Sequence, residues 1–178
     1  GEIRKAGSVD DGTALTDFMD IERERGISVQ SSTAVLKVGE VQLNLIDTPG
    51  HVDFAAEVER ALSVLDVAVL VISAVEGIQA QTEILFEALR HTRTNVVMFI
   101  NKIDRPGSRV AAILEQIRSK FTPHILPMTT WSQEGEKTCT SSLLALSDPA
   151  FADAATQAVA EFDEQALERY VSGEPIAQ

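Results

Sequence analysis

Two short clusters in this chain hold residue types that can do chemistry: Asp47, Thr48, Pro49, Gly50 and His51 in one, and Asn101, Lys102, Ile103 and Asp104 in the other. Each directly follows an apolar run, residues 41–46 and residues 95–100. The first cluster suits the phosphate side of a nucleotide. Asp47, at a strand tip, can hold the water shell of Mg²⁺, an ion that keeps several waters and takes few carboxylates. Thr48 belongs to the same nucleotide-facing segment; Pro49 and Gly50 turn the chain sharply, and Gly50, lacking a Cβ, lets its N–H come close to a terminal phosphate. His51 then opens a helix beside the place of an attacking water. The second cluster suits a base. Asp104 can accept two hydrogen bonds from the guanine edge, Asn101 can bond the base or brace the loop, and the Lys102 stem can lie on the ring face. Adenine presents an acceptor where guanine presents a donor, so a carboxylate at position 104 selects guanine. The plain alternatives are a strand-to-helix turn and a strand-to-loop exit. Both clusters together, in this order and each after a strand-like run, are far more specific than either alone.

The elements that must position these residues follow from hydrophobic spacing. Residues 33–38 and 41–46, joined by Gly39 and Glu40, read as an antiparallel hairpin with a two-residue turn. Residues 51–65 read as a helix, because Phe54, Val58, Ala61, Leu62 and Leu65 recur at helical spacing. Residues 66–73 and 95–101 read as buried strands. Residues 79–90 read as a helix with Ile84, Leu85, Ala88 and Leu89 on one stripe, and 108–121 as a further helix. A short helix is expected near 16–25, one strand near 124–130, and one or two helices over 150–171. Strands alternating with helices imply an α/β fold with a mostly parallel sheet and flanking helices. In such a sheet, ligands bind beyond the carboxyl ends of the strands, where both clusters fall.

With these residues in view, the chain resembles the GTP-binding domain of translational GTPases. Within that group it is most similar to the tetracycline-resistance ribosomal protection proteins, relatives of elongation factor G. The stretches that carry the resemblance are 7–13, 22–30, 45–54, 62–66, 78–82 and 99–104. The likeness runs well to about Lys120 and more loosely beyond, with 167–173 similar to a segment inserted late in the family's domain. The resemblance implies a P-loop GTPase fold, with 1–121 as the switch and guanine-motif core and 122–178 as a late, insert-like part of the same domain. It implies GTP as substrate, Mg²⁺ as cofactor and the ribosome as partner. It makes His51 the catalytic residue that orients water. It also makes Ser28 a Mg²⁺ ligand beside Asp47; the family usually has Thr there, and serine keeps the hydroxyl while losing the methyl that stiffens χ1.

No G-x-x-x-x-G-K-[S/T] phosphate loop occurs in the 178 residues. By resemblance, the first strand and that loop are expected to precede Gly1. The composition bounds the rest. A net charge of −12, from 15 basic and 27 acidic residues, argues against direct binding of DNA or another phosphate backbone by this segment. One cysteine, Cys139, forms no internal disulfide, which fits a reducing cytoplasm. No apolar run reaches membrane-spanning length, so no membrane partner is expected. His91 and His124 have no motif around them. Trp131 is expected to need a polar partner if it anchors the late segment. The alternatives are an elongation factor G-type translocation factor and, in another class, a non-catalytic remnant retaining interaction surfaces.

Overall fold

A computed structural model describes residues 31–48, 55–161, 167–168 and 171–172. The expected helix near 16–25, and Ser28, Pro49, Gly50 and His51, lie outside the described residues. The chain divides into two compact units, Gly1–Ala68 with Glu87–Val97, and Val69–Phe86 with Met98–Gln178.

The described residues of the first unit begin with a hairpin of β1 (Ser32–Val38) and β2 (Val41–Asp47), antiparallel with Val38 opposite Val41 and Ser32 opposite Asp47. Gly39 has φ +61°, the left-handed value that a tight two-residue hairpin turn demands and glycine adopts without strain. Helix α1 (Ala55–Leu62) follows and buries Val58 and Ala61 at the expected spacing.

Strand β3 (Val67–Ser73), helix α2 (Ala80–His91) and strand β4 (Asn95–Asn101) come next, and β3 pairs with β4. The Ala74 N–H, just past β3, donates to the carbonyl of Asn101, the last residue of β4, at 2.8 Å. The two carboxyl ends therefore lie side by side and the strands run parallel, as a helical crossover requires. The other described strand pairs are antiparallel hairpins.

The second unit continues with α3 (Val110–Lys120), β5 (Thr129–Ser132), β6 (Thr140–Leu143) and α4 (Pro149–Ala160). Helix α3 buries Val110, Ile113 and Ile117, at spacings of three and four residues along one face. Phe86 of α2 stacks on Phe121 with ring centroids 4.3 Å apart. Helix α4 starts on Asp148, whose Oδ1 accepts from the N–H groups of Ala150 (2.9 Å) and Phe151 (3.3 Å), with Pro149 as its first residue.

Three expectations are corrected. The apolar strands are not buried on both faces: β3 buries Ala68, Leu70 and Ile72 but exposes Val67, Val69 and Val71, and β2 is exposed along most of its length. A near-continuous apolar run suits a sheet covered on both faces, and here one face of β3 is covered. In α2, Ile84 is 62% exposed, while Phe86 turns inward to its ring partner. The strand expected near 124–130 begins only at Thr129, because Pro123 and Pro127 have no N–H to give a ladder. Its partner β6 has no signal in the sequence; Thr140, Ser141 and Ser142 carry no apolar alternation.

Candidate functional site

Asp47 ends β2, half-buried, opposite Ser32 across the hairpin, with Thr48 half-buried after it. A strand end delivers its carboxylate from a backbone fixed by the ladder, which suits a group that must hold an ion's water shell. Among the described residues no three His, Cys, Asp or Glu side chains gather as a metal cage. Mg²⁺ takes one or two carboxylates and fills its remaining positions with water and phosphate, a requirement that a single strand-end carboxylate meets. The donor chemistry of Asp47 therefore fits that ion.

The other cluster sits at the carboxyl end of β4. Asn101 Oδ1 accepts from the Lys102 N–H at 2.8 Å, so this side chain braces the loop. Lys102 has φ +62°, a left-handed conformation that a residue with a Cβ adopts at a cost of about 1–2 kcal/mol. Strain of this kind persists where surrounding bonds fix the backbone. Here the Asn101 carbonyl takes the Ala74 N–H, and the Lys102 carbonyl takes the Arg105 N–H at 3.1 Å. The kink turns the chain out of the sheet and leaves Lys102 and Asp104 exposed, where a ligand can reach them.

A hollow of about 200 Å³ opens between the ends of β3 and β4, lined by Ser73, Gly77, Thr82, Asn101 and Lys102 among others. Pockets that enclose a drug-sized ligand measure roughly 300–1,000 Å³, so this hollow is smaller than those. Its other wall is the turn after β3. Gly77 has φ +76° and donates its N–H to the Ser73 carbonyl at 2.8 Å. Thr82 Oγ1 accepts from the Gln79 N–H at 3.3 Å and steadies the start of α2.

The loop beyond Asp104 is held by groups that the sequence did not single out. The Arg109 N–H donates to the Ala74 carbonyl at 3.0 Å, and its guanidinium donates to the Val75 carbonyl at 3.2 Å. Ser108 Oγ and the Gly135 N–H both donate to the Ile103 carbonyl, at 3.1 and 2.8 Å. Glu134 Oε1 accepts from the Val110 N–H at 2.6 Å, and its Oε2 accepts from Trp131 Nε1 at 3.3 Å. Trp131 thus has its polar partner. Nothing local in the sequence signalled what the turn at Glu134 and Gly135 would touch. His124 pairs with Glu161, away from any motif in the sequence. Among the described residues no helix is long and apolar enough to cross a membrane.

Several known proteins are similar to this chain. The oxytetracycline resistance protein of Streptomyces rimosus is 44% identical over 177 residues, covering 99% of this chain and 27% of that protein. The tetracycline resistance protein TetM of Streptomyces lividans is 51% identical over 135 residues, 76% of this chain and 21% of the relative. TetW of Butyrivibrio fibrisolvens is 42% identical over 178 residues, 27% of its length. The chain thus spans about a quarter of the curated relatives it matches. A crystal structure of a protein from Thermus thermophilus superposes with a TM-score of 0.82 at 26% identity, covering 99% of this chain and 30% of that one. The family model described as the elongation factor Tu GTP binding domain matches residues 1–170, nearly the whole chain, and the chain belongs to that family.

Proposed function

We propose that this chain is the nucleotide-binding part of a ribosome-associated GTPase of the tetracycline-resistance kind. On this reading it is one domain, with 1–121 as its core and 122–178 as a late segment, working in the cytoplasm. The observation that carries the proposal is the strained, braced loop at the end of β4, which holds Asn101 as a strut and leaves Asp104 open to a guanine edge. Asp104 reads the base and the Lys102 stem covers it. Thr48, Pro49 and Gly50 line the phosphate side. Asp47 and Ser28 hold Mg²⁺, which when bound spreads the charge of the phosphate oxygens. His51 orients the attacking water.

The relatives' names support drug resistance as the outcome. GTP binding favours a ribosome-bound form that dislodges the drug, and hydrolysis releases the factor. The test is the complete protein carrying these residues, assayed for binding of GTP against ATP and for hydrolysis with and without ribosomes. Guanine preference and ribosome stimulation are expected. Equal affinity for GTP and ATP overturns the base assignment, and hydrolysis indifferent to ribosomes overturns the partner.

A further inference from the structure

Glu134 stands in the turn between β5 and β6, 30 residues beyond Asp104 in sequence, yet it closes the loop that presents Asp104. We propose that Glu134 is a positioning residue for guanine recognition, an inference that rests on Asp104 being the base reader.

Helix α3 begins badly by its own means. Arg109, at its N-cap, gives no side-chain bond to the helix, and the first turn carries no acid. The first N–H groups of a helix have no partner within it. Val110 is 4% exposed, so water is a poor substitute there. The Glu134 carboxylate fills that need with a short, charge-assisted bond at the positive end of the helix. The Trp131 indole N–H holds the second carboxylate oxygen and so fixes the rotamer.

The neighbouring residue completes the clamp. The Gly135 N–H bonds the Ile103 carbonyl, immediately before Asp104. The turn thereby grips the loop on both sides of Asp104, at Ile103 and at Val110. Gly135 has φ +84°, and a Cβ there would meet nothing closer than 3.8 Å. Glycine is required by the backbone angle, which lets the N–H face the loop. A carboxylate must meet two donors of a base at once, so its loop has to be set before the ligand arrives; preorganisation of this kind shows as affinity.

In the complete protein, Glu134→Ala is expected to weaken GTP binding about ten-fold, as loss of a charged hydrogen bond does, and to lower the ratio of GTP to ATP affinity. Glu134→Gln, which keeps an acceptor for the Val110 N–H, is expected to recover most of that loss. Trp131→Phe keeps the ring and removes the indole N–H, and should give a loss of the same kind of about two- to three-fold. It also serves if the alanine variant fails to fold. Adding Glu134→Ala to Asp104→Asn should cost less than about two-fold more GTP affinity, because no carboxylate remains to be positioned. A cap of purely structural value would lower the melting temperature and leave the GTP to ATP ratio unchanged in both variants; that result overturns the proposal. If the unmodified protein shows no guanine preference, or Asp104→Asn leaves it intact, the base assignment fails first and this inference falls with it.

Discussion

A carboxylate distinguishes guanine by offering acceptors to two adjacent N–H donors, and Asp104 stands exposed on a loop whose turn is set at Lys102. Asp104→Asn should therefore reduce GTP affinity by about 1.5–3 kcal/mol and shift preference toward XTP, whose extra oxygen can accept from the new amide. Competition between the two nucleotides in the complete protein measures this, and an unchanged preference removes Asp104 as base reader. His51 is assigned a role in the transition state. His51→Ala should leave GTP affinity within a few-fold while slowing ribosome-stimulated hydrolysis on the order of 10²–10⁴-fold. Single-turnover hydrolysis with saturating ribosomes separates this from a structural histidine, which would move affinity and stability together. The placement of Asp47 and Asn101 at strand ends was legible because each closes an apolar strand-like run. The bracing by Asn101 Oδ1 was one of two open readings, and the bond to the Lys102 N–H supplies it.

At the scale of elements, local signals located most of the fold. Gly39 and Glu40 marked the hairpin turn, and β4 spans residues 95–101 as its run of Val, Met, Phe and Ile predicts. The helix expected from residue 150 begins at Pro149, one residue earlier, behind the Asp148 cap. Asp148→Ala removes the acceptor for two N–H groups at that start and should lower stability by about 1 kcal/mol without changing nucleotide affinity. Denaturant titration beside a GTP titration checks both halves, and a linked change in affinity would mean that α4 bears on the site. What sequence did not show was β6 and the reach of its turn. A polar, glycine-containing stretch reads as a loop whether or not its N–H groups and carboxylates are spent on a helix 24 residues earlier, as Glu134 is on Val110. Inward and outward positions were legible only as apolar periodicity, which is why Ile84 and the outer valines of β3 were misplaced.

For the molecule as a whole, charge and apolar surface oppose each other. Val67, Val69 and Val71 of β3 and Val97 and Phe99 of β4 are each about half exposed, in a chain of net charge −12. Like charge keeps copies apart in dilute salt, and salt screens it over roughly 10 Å at 0.1 M. The 178-residue chain alone should bind an apolar dye and self-associate more as salt is raised. Dye fluorescence with light scattering across a salt series tests this, and a monomer that takes no dye at any salt contradicts it.

The grip of Glu134 and Gly135 on the Asp104 loop also orders events in time. A chain made at about 5–20 residues per second needs some seconds to extend from Asp104 to the β5–β6 turn. Through that interval the emerging protein has Asp104 but not the turn that holds its loop at Ile103 and Val110. If Asp104 reads the base as proposed, guanine selectivity is acquired during synthesis, later than the strand that carries it, and a nascent chain arrested before Thr129 carries the motif without its discrimination.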